Sequence, residues 1–147
     1  MNVVSIVMTD RSNKDVATWL SDKQSGMETT LAALVETNSF TDNPEGGRAV
    51  AKGLADLFRV DGLVPRVEAS AKFADHLIFE SKGRPSAKPI ALVGHLDTVF
   101  PPGTFEGYRR DGDLARGPGV LDMKGGLVVV AHALKAAAET VGLDALP

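Results

Sequence analysis

The sequence predicts an α/β fold in which a mixed, mostly parallel sheet is flanked by helices. Segments with the apolar spacing of amphipathic helices are followed by short apolar segments typical of strands. One of these, residues 90–93, is apolar at every position, as expected for a strand covered on both faces. Such a combination favours a layered α/β architecture.

Length and composition exclude several classes of protein. The 147 residues suit a single domain, and 44% hydrophobic and 24% charged residues are ordinary for a globular chain. A net charge of −3 without a basic stripe argues against a nucleic-acid partner. Because the chain has no cysteine, any metal would have to be bound by His, Asp or Glu.

The apolar start of the chain resembles neither a secretion signal nor a membrane anchor. Residues 1–7 lack a basic beginning and a small-residue cleavage site, and the run is too short to span a bilayer. We therefore expect residues 1–8 to be a disordered extension, the protein to be cytoplasmic, and no membrane to be involved.

Three helices are predicted. Residues 14–37 carry one apolar stripe, with a possible kink at Gly26, and residues 45–60 carry a second stripe. Residues 124–138 are apolar nearly all round, so we expect that helix to be buried against the sheet.

The remaining apolar segments predict strands and turns. Residues 63–69 and 77–80 are strand-like, and residues 82–86 form a polar turn. Residues 105–116 indicate a small hairpin with an Asp111-Gly112 turn.

His95 and Asp97 follow the apolar run at residues 90–93, where α/β proteins place ligand sites. In an extended segment both side chains point to the same side, so Asp97 could accept the second imidazole N–H while His95 binds a metal. Alternatively, Asp97 and Thr98 form an ordinary turn at the strand end.

Asp122 precedes two adjacent glycines at a predicted helix start. The carboxylate could cap the helix. Alternatively, Asp122 could be a metal ligand, and the two glycines would then allow the backbone of its loop to come close to neighbouring atoms. His76 and His132 are interpreted as structural, residues 117–119 lack the spacing of a phosphate loop, and no serine has a nucleophile-elbow context.

Two motifs together resemble the signatures of one family of di-zinc metallopeptidases. His-x-Asp-x-Val is matched by residues 95–99, and Gly-x-Gly-x-x-Asp-x-Lys-Gly-Gly is matched by residues 117–126. The family includes carboxypeptidase G, acetylornithine deacetylase, succinyl-diaminopimelate desuccinylase and aminoacylase. The order of the predicted elements is similar to that of its catalytic domain.

The resemblance implies a role for each of three residues. His95 would bind one zinc ion, Asp122 would bridge two, and Asp97 would be the catalytic residue that orients His95. It also implies a cis peptide bond between Asp122 and Met123. The two zinc ions would polarise the scissile carbonyl and lower the pKa of a water molecule.

Later parts of the family's site are not matched. Members carry adjacent glutamates, one a general base and the next a zinc ligand, but this sequence has no Glu-Glu pair. We therefore expect residues 1–147 to be the N-terminal portion of a single catalytic domain, truncated before its later strands and without the lid or dimerisation domain. The full-length protein would be a homodimer.

The function implied by the resemblance is hydrolysis of an amide or peptide bond. The expected enzyme is a zinc-dependent carboxypeptidase, active only at full length, that releases a C-terminal amino acid such as glutamate. An N-acyl amino acid deacylase or a dipeptidase of the same family is the alternative, as is a non-catalytic chain that serves in binding. The substrate would be a small peptide or an N-acyl amino acid.

Overall fold

A computed structural model describes residues 10–82 and 88–145 of the chain. The expected extension at residues 1–8 lies outside these ranges, as does most of the predicted turn at residues 82–86. The described residues form a mixed α/β structure, so the predicted fold class is confirmed.

The first predicted helix is two helices. Helix α1 (Asp10–Ser21) and helix α2 (Gln24–Glu36) are separated by a turn in which the Lys23 N–H donates to the Leu20 carbonyl at 3.0 Å. The break between the two helices lies before Gly26, which is inside α2. The Ser21 hydroxyl instead donates to the Thr18 carbonyl, a side-chain contact that competes with the helical backbone at the end of α1.

The other two helices lie close to their predicted positions. Helix α3 (Pro44–Leu57) begins where the Asn43 side chain accepts a hydrogen bond from the Gly46 N–H at 3.1 Å, with proline in its first turn. Helix α4 (Lys124–Thr140) is followed by a 3₁₀ turn, Leu143–Ala145. No helix in the described part of the chain is long and apolar enough to cross a bilayer.

Two antiparallel hairpins account for the paired strands of the described residues. Strand β1 (Leu63–Glu68) pairs with β2 (His76–Ser81), and β3 (Arg109–Asp111) pairs with β4 (Leu114–Arg116). These strands confirm the corresponding predictions. The short hairpin turns at Gly112 and Asp113, one residue later than expected, because Asp111 still pairs with Leu114.

The mostly parallel sheet is not confirmed. Residues 90–93 form no paired strand, and Ile90 and Leu92 are each 64% exposed. Within the described residues, the parallel pairing consists of one isolated bridge between Phe40 and Thr98. The segment has the composition of a buried strand, but the described ranges contain no strand paired with it. Helix α4 accordingly packs on α1 and α2 rather than on a sheet.

The hydrophobic core lies between the helices. Its buried members come from α2, α3 and α4 and from the residue after α3, and they are Leu34, Val50, Leu54, Leu57, Phe58, Val128 and Ala131. The ring of Phe58 stacks on Phe79 of β2 with centroids 5.0 Å apart, which attaches the first hairpin to α3. This core fixes the starts of α3 and α4 near the loop that carries His95.

Candidate metal centre

Three side chains singled out from the sequence lie together in the structure. His95 Nε2 is 3.0 Å from Asp122 Oδ1. His95 Nδ1 is 3.2 Å from Asp97 Oδ1 and 3.1 Å from the Asp97 main-chain oxygen. The side chains of His95 and Asp97 are 46% and 39% exposed, and that of Asp122 is 83% exposed, so a dissolved ion can reach the group.

The backbone at His95 is held against the start of α4. The His95 N–H donates to the Met123 sulfur at 3.4 Å. A Cβ atom added to Gly94 would lie 2.8 Å from Leu127 Cδ2 and 2.9 Å from Met123 Cε, so a side chain at this position would force the two segments apart. Glycine at position 94 therefore brings His95 close to the loop that carries Asp122.

Asp97 is held from its other side by the connection between α2 and α3. The Thr41 hydroxyl donates to Asp97 Oδ2 at 2.6 Å. The Ser39 hydroxyl donates to the Leu96 carbonyl at 2.8 Å, and the Thr98 N–H donates to the Ser39 carbonyl at 2.8 Å. The alternative, a turn formed by Asp97 and Thr98, is not observed: Asp97 has no turn assignment and Thr98 forms a bridge with this connection.

Asp122 lies two residues before the start of α4 and does not cap it. The residue before the helix is Met123, and no side-chain hydrogen bond caps the helix start. The carboxylate of Asp122 instead faces His95. The peptide bond between Asp122 and Met123 is cis, as the family resemblance implied.

The glycines of the second motif permit close backbone approach. A Cβ at Gly125 would lie 2.3 Å from the Val120 carbonyl oxygen, a separation that atoms do not adopt. Gly119 has φ +82°, and a Cβ there would lie 2.9 Å from the Lys124 side chain. The loop that presents Asp122 can therefore fold tightly only with glycine at these two positions.

Lys124 of the same motif is a buried cation with a structural contact. Its side chain is fully buried, and Nζ donates to the carbonyls of Leu34 and Thr37 at 2.9 Å each. These carbonyls lie at the carboxyl end of α2, where a positive charge is stabilising. Burial lowers the pKa of Lys124 to about 8. Lys124 thus ties the start of α4 to the end of α2.

The carboxylates around His95 favour its protonated form. Burial lowers the pKa of His95, but its hydrogen bonds to the Asp122 side chain and the Asp97 carbonyl raise it, as do the charges of Asp122 and Asp97. The net result is a pKa above the ordinary value of 6.5. In the metal-free chain, both imidazole nitrogens can then donate, Nδ1 to Asp97 and Nε2 to Asp122.

The donor set fits part of a zinc site. Two donor atoms bound tetrahedrally to zinc at about 2.0–2.1 Å lie about 3.3 Å apart, close to the 3.0 Å between His95 Nε2 and Asp122 Oδ1. An imidazole nitrogen and a carboxylate oxygen are both ordinary zinc ligands. Across residues 10–82 and 88–145, however, no group of three or more His, Asp or Glu side chains is arranged to hold a metal ion.

The other two histidines lie away from this group. His132 is buried in α4, its Nδ1 is 2.9 Å from the Val128 carbonyl, and its ring lies 6.4 Å from that of Trp19. His76 is exposed at the start of β2. Neither contributes to the centre formed by His95, Asp97 and Asp122.

Two residues at the site are not indicated by the sequence alone. No local spacing links Thr41 to an aspartate 56 positions later. Lys124 was noted as part of a motif without a role. One usable signal existed, since a lysine that starts a helix with few other polar residues must either be exposed or find carbonyl partners.

Comparisons with known proteins agree with the geometry. Residues 91–144 match the model of peptidase family M20/M25/M40, and the match contains all three site residues. This match supports assignment of the chain to that family. It is also 35% identical over 119 residues to carboxypeptidase G2 of Pseudomonas sp. (strain RS-16), an alignment that covers 78% of this chain and 28% of that protein. The chain therefore spans under a third of the length of this relative.

Proposed function

We propose that this chain supplies part of the catalytic site of a zinc-dependent peptidase of the carboxypeptidase type. In this proposal His95 and Asp122 are zinc ligands, and Asp97 orients His95. The observation that carries it is the 3.0 Å approach of His95 Nε2 to Asp122 Oδ1 across 27 positions of sequence. The match of residues 91–144 to a peptidase family supports the same conclusion.

Each of the three residues has a distinct part in holding the cation. Asp97 accepts the Nδ1 proton of His95, which leaves the Nε2 lone pair free once a cation replaces the Nε2 proton. Asp122 contributes a negative charge that offsets the cation. Bound zinc would supply the positive charge that polarises a substrate carbonyl and acidifies a water molecule.

The proposed substrate is a small peptide or an N-acyl amino acid with a free carboxylate. The similarity to a carboxypeptidase supports release of a C-terminal residue, for which glutamate is our proposal. Comparing N-acyl glutamates, N-acetyl amino acids and dipeptides as substrates of the longest natural form of the protein would separate the carboxypeptidase reaction from the deacylase and dipeptidase alternatives. Preference for either of the latter would contradict the carboxypeptidase assignment.

Zinc titration tests the ligand assignment directly. We expect the metal-free chain to bind zinc weakly, and His95→Ala to lower its affinity by at least about tenfold, because an imidazole ligand is lost. Isothermal titration calorimetry measures both values. His76→Ala is the matched control, because it removes an exposed histidine from β2. The zinc affinity of this variant should equal that of the unmodified chain. Equal affinities in all three proteins would refute the assignment.

A further inference from the structure

The Thr41 hydroxyl is in direct contact with the carboxylate that faces His95. It donates to Asp97 Oδ2 at 2.6 Å, within the range of about 2.5–2.7 Å typical of a hydroxyl bound to a charged carboxylate. The other oxygen, Oδ1, is the one that lies 3.2 Å from His95 Nδ1. The two oxygens of Asp97 therefore have separate partners on opposite sides.

The backbone that carries Thr41 is itself firmly placed. The Thr41 N–H donates to the Thr98 carbonyl at 3.1 Å, next to the parallel bridge between Phe40 and Thr98. The Asn38 side chain donates to the Phe100 carbonyl at 3.1 Å. Because the threonine side chain is also restricted in χ1, its hydroxyl has little freedom to leave Asp97.

One competing contact exists. The Thr41 oxygen also lies 3.3 Å from the Thr98 carbonyl oxygen, and a hydroxyl has a single proton to donate. The contact with Asp97 Oδ2, at 2.6 Å, is shorter than the 3.3 Å contact with the Thr98 carbonyl, and its acceptor is charged. The Thr41 hydroxyl therefore donates its proton to Asp97.

We propose that Thr41 is a positioning residue for the metal centre. By holding Asp97 Oδ2, it keeps Oδ1 directed at His95 Nδ1. This contact, together with the 3.1 Å approach of Nδ1 to the Asp97 main-chain oxygen, sets the direction in which His95 Nε2 presents its lone pair. This inference rests on the proposed zinc-binding function. Loss of partners that orient a metal-binding histidine costs about 10–100-fold in affinity, and Thr41 acts one contact further out, so a loss of about three- to tenfold is expected.

The test compares Thr41→Val with Thr41→Ser by zinc titration of the 147-residue chain. Valine keeps the shape and removes the hydroxyl, whereas serine keeps the hydroxyl. We expect the three- to tenfold loss in Thr41→Val and an affinity within about twofold of the unmodified chain in Thr41→Ser. Thr29→Val is the matched control, because the Thr29 hydroxyl donates to the Ser25 carbonyl of its own helix.

A double variant shows whether Thr41 acts through Asp97. In an Asp97→Ala background, Thr41→Val should cause no further loss of zinc affinity, since the carboxylate it holds is gone. Nuclear magnetic resonance of the metal-free chain adds a readout that needs no zinc. The His95 Nδ1 proton should exchange with solvent faster in Thr41→Val than in the unmodified chain or in Thr41→Ser, because its contact with Asp97 Oδ1 is loosened while that with the Asp97 main-chain oxygen remains.

The outcomes separate this inference from the proposed function. Equal losses in Thr41→Val and Thr41→Ser, or an additive loss in the Asp97→Ala background, would show a merely structural threonine and overturn the inference. If His95→Ala weakens zinc binding but Thr41→Val does not, the inference fails and the proposed function stands. If neither variant changes zinc affinity, the proposed function fails, and the inference with it.

Discussion

In the proposed metal centre, a proton and a cation would compete for the same nitrogen of His95. Its Nε2 faces Asp122 Oδ1, and its Nδ1 faces Asp97. The sequence predicted which residues would meet, because strand-end placement and two short motifs are local signals. It did not predict Thr41, because that contact depends on how α2 and α3 direct their connection toward the chain at Asp97.

The charge of Asp122 has a measurable effect on His95. We expect Asp122→Asn to bring the raised pKa of His95 down toward its ordinary value of 6.5, because the carboxylate both accepts the Nε2 proton and carries the opposing charge. A pH titration of the His95 ring signals in the metal-free chain measures this shift. Asp113→Asn, an exposed aspartate in the turn between β3 and β4, is the control and should leave the titration unchanged.

The raised pKa of His95 also sets the pH range in which zinc binding weakens. Because protonated Nε2 cannot bind a metal, zinc affinity falls as the pH decreases through the raised pKa of His95. In Asp122→Asn, the decrease in zinc affinity caused by protonation of His95 should begin at a lower pH. The zinc affinity should also be lower at every pH, because a ligand is lost. An unchanged His95 titration in Asp122→Asn would contradict the contact between the two residues.

At the scale of the elements, the periodicity of apolar residues located the helices and the hairpins. It misplaced the break between α1 and α2, where polar side chains compete with backbone hydrogen bonds over one or two residues. The apolar composition of residues 90–93 predicted a paired strand that is not observed. Composition indicates that a segment can be buried, but it does not indicate whether a neighbouring strand is present to pair with it.

The link between α2 and α4 predicts an unusual dependence of stability on pH. Lys124 has a pKa of about 8 when folded and 10.5 as an ordinary lysine. Between these values the unfolded chain binds more protons, so the lysine's contribution to stability rises with pH, by up to about 3 kcal/mol in total. A neutral amine keeps two N–H groups, enough for both carbonyl contacts.

Urea denaturation at pH 7.5 and pH 10 measures this effect, with Lys124→Met as the comparison. Other groups titrate over the same interval in both proteins, so the difference between them isolates the lysine. We expect the unmodified chain to gain stability relative to Lys124→Met as the pH rises. An identical pH dependence in the two proteins would show that the Lys124 charge is not buried as the structure has it.

At the scale of the whole molecule, the described residues bring together two candidate zinc ligands and one orienting carboxylate, without a further group able to complete a metal site. We therefore expect the 147-residue chain to show no zinc-dependent hydrolysis of N-acyl glutamates, because the described residues include no group of three or more His, Asp or Glu side chains arranged to hold a metal ion. A sensitive assay of the purified chain, with and without added zinc, checks this. Turnover that is abolished by His95→Ala would contradict the expectation.

The connection at residues 37–41 has a consequence that reaches beyond the ligands. At one end its Thr37 carbonyl is bound by Lys124, two residues after Asp122, and at the other end Thr41 is bound to Asp97. The two ligand-bearing segments are therefore mechanically joined through a single short stretch of chain. An ion bound by both segments would make the end of α2 harder to open, and a substitution that increases the opening of this end would weaken binding of the ion.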